Sequence, residues 1–292
     1  MGQQVLNGIF LGSIYALFAL GYTLVFGVLD MLNLAHAAVF MLSAFVALSL
    51  VTHLHLPILL ALPLTLLSAA LLGLFLERVA FRPLRGRTDS NVAGLISSLA
   101  VATVFEALAL EVFGPNIARF PIGTVPDRPV ALMGGVVSGL KLGIIATAVA
   151  FFLALTFLVR RTRLGRDLRA VAESPRAARV VGVHVDRVVA AAFAISSALG
   201  GAAGVLFALA FNAISPDMGR SVELKGLSVI IVGGMGSMPG AVVAGFLLGI
   251  TEVFVVAYLG ASWRDALSFA GLFLILVLRP RGLFGGASLR EA

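Results

Sequence analysis

The sequence contains no cysteine, two lysines, one tryptophan and three tyrosines, and charged residues make up only 12% of it. Without cysteine, neither a disulfide nor a thiolate metal site is possible. A soluble domain carries about 25% charged residues. With 60% hydrophobic residues and a mean hydropathy of +1.08, this chain has too few polar groups to coat a globule in water. Neither Lys141 nor Lys225 follows a glycine-rich phosphate loop, and no G-x-x-x-x-G-K-[ST] occurs, so ATP hydrolysis by that route is excluded. There is no H-E-x-x-H and no nucleophile–base pair in sequence context, which leaves an intramembrane protease unsupported. The opening MGQQVLNG lacks a basic n-region, so no cleavable signal is expected, and Leu6 stands where a myristoylation motif needs Ser or Thr.

What remains is a polytopic membrane protein. At about 20 residues per span, 292 residues hold eight to ten helices and little else. Apolar runs at 5–28, 37–52, 58–76, 92–113, 140–159, 188–212, 241–258 and 263–278 read as spans. Several carry small residues at four-residue spacing, such as Gly8 with Gly12 and Gly245 with Gly249, faces suited to close helix contact. The net charge is +7 with a pI near 10.9, but the arginines sit at span ends, as orientation signals do, so no nucleic-acid partner is expected. Segments 77–91, 160–187 and 279–292 hold fifteen arginines, whereas 114–139 and 213–225 hold only Arg119, Arg128, Arg220 and Lys225. The positive-inside rule puts the first three segments in the cytoplasm. The apolar, glycine-broken segment from 226 must then cross once, with 218–225 as its outer turns. The expected fold is all-α, one transmembrane domain over 1–292, with about nine crossings (8–10), the N-terminus outside and the C-terminus cytoplasmic.

The most ordered polar segment is 160–187, with eight arginines against Asp167, Glu173 and Asp186. Leu164, Leu168, Val171 and Ala172 recur at helical spacing, with Arg166, Arg169 and Glu173 between them. Ser174 then reads as an N-cap, Pro175 as the first helical position and Gly182 as a stop, which predicts a second short helix over 175–181. Ala177, Val180 and Val181 would form its apolar side, with Arg176 and Arg179 off it. One reading is a solvated loop that sets topology. The other is a docking element for a cytoplasmic partner, because a tether needs neither cap nor stop.

Irregular backbone at membrane depth is tolerated only where it is buried in protein or lines a cavity. Two stretches qualify as candidates. Around Asn33 and His36 the spacing favours an ordinary turn. Around Gly233, Gly234, Gly236 and Ser237, a plain turn and a broken helix with free ends stand level. Glu106, Glu111 and Glu252 are carboxylates within spans, and such a charge is expensive enough to be a functional candidate by default. No lysine or arginine within a span is expected to pair with Glu106, and Glu252 reads as helix packing. His53 and His55 form a polar turn without a third ligand, so no metal site is expected.

Three stretches, in this order, resemble one family. GSIYALFALGYTLVFGVLDMLNLAHAAVFMLSAF and GLSVIIVGGMGSMPGAVVAGFLLGITE are similar to the N- and C-terminal signatures of the branched-chain amino-acid permeases of ABC importers. GRDLRAVAESPRAARVVGVHVDRVVAAAFAISSALGGAAGVL is similar to their cytoplasmic loop and following helix. In the first stretch, Ala37 stands where the family usually has Gly, and Ala38 where it often has Glu or Asp. The resemblance implies that 160–187 is a cytoplasmic coupling hairpin, with Arg169, Glu173, Pro175, Ala178, Arg179 and Gly182 at the ATPase groove. It also implies a translocation pathway near Asn33, His36, Gly233, Gly234, Gly236, Ser237 and Glu252, to which the cost of a charge within a span adds Glu106. Implied partners are a second permease (a copy or a related chain), two ATP-binding subunits and an extracytoplasmic solute-binding protein, in a bacterial or archaeal cytoplasmic membrane. The chain itself would bind no cofactor, ATP being used by its partner. The same superfamily carries sugars, nucleosides or urea, but the single Trp263 and three tyrosines lean toward apolar amino acids. The remaining alternative is a stand-alone secondary transporter using Glu106 or Glu252; no internal repeat supports it.

Overall fold

The computed structural model describes residues 1–85, 90–121, 123–124, 129–132, 135–280 and 282–285. Arg87, Arg128, Arg281 and Arg290 of the expected orientation signal lie outside them. The helices are α1 (Gly2–Leu29), α2 (Ala35–Thr52), α3 (Ile58–Leu76), α4 (Ser90–Phe113), α5 (Gly139–Arg161), α6 (Arg163–Glu173) and α7 (Pro175–Val180). They are followed by α8 (Val185–Phe211), α9 (Met218–Gly233), α10 (Met238–Leu259) and α11 (Arg264–Leu278). A π-helical turn, Glu77–Phe81, and a 3-10 turn, Arg82–Leu84, extend α3. Among the described residues, the one departure from helical elements is a short antiparallel hairpin, β1 (Pro129–Leu132) with β2 (Gly135–Ser138), in a stretch expected to be loop.

Among the described residues, eight helices are long and apolar enough to cross a membrane: α1 to α5, α8, α10 and α11 with its preceding turn. At 16 residues, α9 is shorter than the roughly 20 that a perpendicular span needs. The polar run 218–225 does form its first turns, as the span pattern required. Expected boundaries differ by up to three residues elsewhere, because capping turns extend each apolar run.

The interior is made of α1, α2 and α8, whose apolar windows are mostly buried, while α3, α4, α5 and α10 lie outside. Leu59, Leu67, Leu153 and Phe157 on the outer helices are more than half exposed. A helix that is apolar all round and still exposed belongs in lipid. Inside, Phe18, Tyr22, Phe40 and Phe193 are almost completely buried.

Close approach holds the layers together. The small pairs seen in the sequence on α1 and α10 face one another. A Cβ on Gly12 would lie 2.7 Å from the Phe246 Cα, and one on Gly249 would lie 2.4 Å from the Gly12 Cα. Helices in lipid associate through such contacts, since hydrophobicity does not separate a leucine from an acyl chain.

Two connections are not surface turns. α2 starts beside the middle of α1: His36 Nε2 is 3.3 Å from the Phe18 carbonyl oxygen, and the His36 ring lies against Gly21. Those positions precede the end of α1 by eight to eleven residues, roughly 12–16 Å along its axis. Residues 30–34 therefore fold back inside the bundle, with Met31, Asn33 and Ala35 buried. This overturns the expected ordinary turn. On the opposite side, the connection from α8 to α9 pairs Ile214 with Ala118, and the Phe120 backbone amide donates to Asn212 Oδ1 at 2.9 Å.

Element ends sort into two sets. The start of α9 lies with α4, through Arg220 and Glu106, and close to the Ala118–Ile214 bridge. Its end lies with Gly27 of α1, the start of α10, and residues 283–284, whose amides donate to Val232 and Gly233.

Gly12→Val is expected to lose folded protein, since overpacking costs about 1–3 kcal/mol or more. Gly143→Ala meets nothing within 4 Å and should fold normally. Monodisperse yield in mild detergent checks both, and a well-behaved Gly12→Val protein would contradict the packing.

Candidate functional site

The hairpin is built by caps. Thr162 Oγ1 accepts from the Gly165 amide at 3.1 Å and donates to Leu158 O, fixing the entry to α6. Ser174 Oγ accepts from the Ala177 amide at 3.2 Å, and Pro175 occupies the first turn of α7, as its sequence signature required. Gly182 takes φ +86, and the amide of Val183 returns to Ala178 O at 2.9 Å, which closes the helix. Only glycine holds that backbone without strain.

Which side of α7 is buried differs from expectation. Ala178 points inward and is 2% exposed, while Ala177, Val180 and Val181 point out. Val180 and Val181 are 87% and 76% exposed. One small side chain suffices for the inward contact, so the larger apolar residues are left on the outer surface. Pro175, Arg179 and Glu173 are exposed beside them. Arg169 turns back toward the membrane helices instead. Its guanidinium donates to the Val159 carbonyl and staples α6 to the end of α5.

A second link ties this hairpin to the extension of α3. Arg85 bridges Glu77 and Asp186, with Nη1 2.9 Å from Asp186 Oδ1. Glu77 is almost fully buried, and Asp186 lies in the first turn of α8, directly after the hairpin. Leu168, Val171 and Ala178 share one apolar cluster with Met31, Phe81 and Phe193, so hairpin and fold-back are contiguous.

In the fold-back, His36 is fully buried. A carbonyl only accepts, so Nε2 carries the proton shared with Phe18 O, and Nδ1 faces Ser196 Oγ at 3.5 Å. Asn33 is 2% exposed, and among the described residues neither its Oδ1 nor its Nδ2 has a partner. An unpaired buried amide costs about 1–3 kcal/mol. The 233–240 stretch is a capped turn: Gly234 takes φ +99, and Ser237 Oγ accepts from the Gly240 amide. Gly233 packs against Gly240, and Gly236 lies beside Gly27.

The carboxylates have partners that the sequence pattern did not indicate. Arg220, in the first turn of α9, lies 3.2 Å from Glu106, so Glu106 is not an isolated intramembrane charge. Glu111 is exposed. Glu252 is 1% exposed and sits in an ionic cluster rather than in simple helix packing. Lys225 Nζ is 2.8 Å and Arg264 Nε 3.1 Å from Glu252 Oε1, while the Tyr15 hydroxyl donates to Oε2 at 2.9 Å. Asp265 is 3.4 Å from Lys225. The cluster joins α1, α9, α10 and α11. Among the described residues no group of side chains fit to hold a metal is present.

A bundle of membrane-length helices carrying a capped, basic hairpin is the architecture of a polytopic membrane protein. The family described as "Branched-chain amino acid transport system / permease component" matches residues 4–278. The high-affinity branched-chain amino acid transport system permease protein BraD of Pseudomonas aeruginosa is 32% identical, over 97% of this chain and 95% of that one. The corresponding permease protein LivH of Escherichia coli K12 is 33% identical over the same shares. A chain of PsaBC from Streptococcus pneumoniae in complex with Fab has a TM-score of 0.51 over 95% of this chain and 92% of its own, at 12% identity, which shows the fold alone. The chain belongs to the permease components of branched-chain amino acid transport systems, and it is a transport subunit rather than an enzyme.

Glu252→Gln leaves Lys225 and Arg264 short of a counter-charge and is expected to destabilise the protein by roughly 3–5 kcal/mol. Adding Lys225→Met should restore part of that, because Arg264 and Asp265 then balance. Thermal unfolding in detergent reads the difference; a single variant as stable as the parent would remove the cluster's structural role.

Proposed function

We propose that the chain is the transmembrane permease of an ATP-binding-cassette importer that moves branched-chain or other apolar amino acids across a bacterial or archaeal cytoplasmic membrane. The observation that carries the coupling assignment is the outer side of α7, capped at both ends and leaving Val180 and Val181 exposed. A solvated loop has no reason to hold two valines outward on a rigid turn, whereas a groove in an ATPase subunit does. Two such subunits, a second permease and an extracytoplasmic binding protein complete the proposed complex. The cargo rests on the relatives' descriptions, with sugar, nucleoside or urea as the alternative within the superfamily.

The proposed orientation has nine crossings, N-terminus out and C-terminus in. The sorting of element ends supports it: α9 runs from the side of the Ala118–Ile214 bridge to the side of residues 283–284, which follow the arginines at 279 and 281. Between α8 and α9 the irregular backbone of 212–217 adds to the depth of this short helix, anchored by Ile214, which is buried and paired with Ala118. Along the proposed pathway, Asn33 has the strongest support, because its amide is buried, unpaired and next to the fold-back that touches the hairpin's apolar cluster. His36 and the turn at Gly233, Gly234, Gly236 and Ser237 flank the same inner region, while Glu106 and Glu252 stand at its outer end. ATP-driven closure of the ATPases would move α7 and, through that cluster, the fold-back.

Replacing Val180 and Val181 by Asp should lower recovery of the ATPase with the permease about tenfold or more, the effect of losing one interface anchor of about 1.4 kcal/mol. The helical fold should be unaffected, since both side chains are exposed. Co-purification and reconstituted leucine uptake measure it. Unchanged recovery and uptake would refute the docking assignment.

A further inference from the structure

A cleft of about 310 Å³ opens between α1, α5, α6 and the start of α10. Its walls are apolar: Leu24, Val28, Phe152 and Met238 line it. Arg160 and Arg169 stand at its rim, both exposed, and among the described lining residues there is no carboxylate to balance them. Arg169 uses one donor on Val159 O and keeps the rest of its fork. Deeper in the wall lies Thr23, 1% exposed, whose Oγ1 has no hydrogen-bond partner among the described residues. Thr23 precedes the end of α1 by six residues, about 9 Å along the helix.

From these observations we infer that the cleft binds an anionic phospholipid. The order of groups from rim to depth is two guanidinium groups, then a hydroxyl seeking a partner, then apolar wall. A phospholipid presents phosphate, ester carbonyl and acyl chain in the same order. The phosphate takes the arginines, the ester carbonyl accepts from Thr23, and the first methylenes lie against Leu24 and Phe152. A zwitterionic amino acid fits poorly, because its ammonium group would sit beside two guanidinium groups with no carboxylate among the described lining residues. Basic pockets between membrane helices at the cytoplasmic surface select anionic headgroups for this reason. The occupant would bridge α5 to α6, so it would steady the hairpin that carries α7. Only the leaflet rests on the orientation proposed above; headgroup selectivity does not, so the two ideas fail separately.

The test uses the transporter as purified with its partners, delipidated in mild detergent. Phosphatidylglycerol or phosphatidylcholine is added, and bound lipid is counted by native mass spectrometry. Phosphatidylglycerol is expected to be preferred roughly ten- to thirtyfold, about 1 kcal/mol per arginine. Arg160→Gln with Arg169→Gln should erase the preference. Thr156→Phe, which fills the cleft and keeps both arginines, should lower occupancy, and it serves if the double variant does not assemble. Equal retention of the two lipids, or a preference that survives both the double variant and the filled cleft, would overturn the inference. So would displacement of bound phosphatidylglycerol by millimolar inorganic phosphate or leucine, which would assign the cleft to a free anion.

Discussion

Lipid tails are as apolar as leucine, so the bundle cannot be held together by hiding leucine from water. It is held by backbones that come close enough to touch. α1 is the axis of that contact, and its glycines decide the distance: Gly8 and Gly12 admit α10, and Gly21 admits the His36 ring of α2. Once α1 is enclosed on these sides, the remaining helices are free to expose apolar side chains outward, and they do. The contrast between a buried centre and a greasy periphery follows from that single requirement.

The same absence of water governs every polar group. Glu252 is tolerable because Lys225, Arg264 and Tyr15 converge on it from three other helices. Glu77 is tolerable because Arg85 reaches it and then continues to Asp186. Both devices do more than neutralise: each pins an element that is too short or too irregular to hold itself. α9 lacks the length of a full span, and Lys225 fastens it to α10. The turns after α3 are irregularly wound; Phe81 packs on Phe193 of α8, and Arg85 fastens them further to Asp186 of the same helix. Asn33 lacks such a device: among the described residues its buried side-chain amide has no partner, and neither has the Thr23 hydroxyl.

Local chemistry made much of this legible from sequence. Span positions follow from runs of apolar residues, and the hairpin follows from Ser174, Pro175 and Gly182, because a cap, a fixed φ and a left-handed stop are properties of one or two residues. What escaped depended on partners far apart in the chain. Glu252 and Lys225 lie on different helices, 27 residues apart, and Glu106 and Arg220 are farther still. No periodicity relates them. The outward pose of Val180 and Val181 escaped for a different reason: helical spacing tells which residues share a side, but which side is buried depends on what the helix meets. The fold-back at 30–34 looked like a turn because its length suits a turn; only the contact of His36 with Phe18 reveals its depth.

That depth bears on how a push at the hairpin could be felt inside the membrane. Ala178 on α7, Leu168 and Val171 on α6, Phe81 after α3 and Met31 in the fold-back belong to one packed cluster. A close-packed interior yields little to compression, so a displacement of α7 cannot be absorbed among these side chains. It must instead move the less regular backbone that borders them. Two stretches there have that freedom. One is the π-helical turn at Glu77–Phe81, where the backbone is already wound wider than an α-helix. The other is residues 30–34, a non-helical link whose Asp30 amide closes α1 on Phe26 O. Arg85 joins the first of these to α8 and leaves it little room, so the larger response falls on the second. On this reasoning the fold-back would respond most at Asn33, whose side-chain amide has no partner among the described residues to give up.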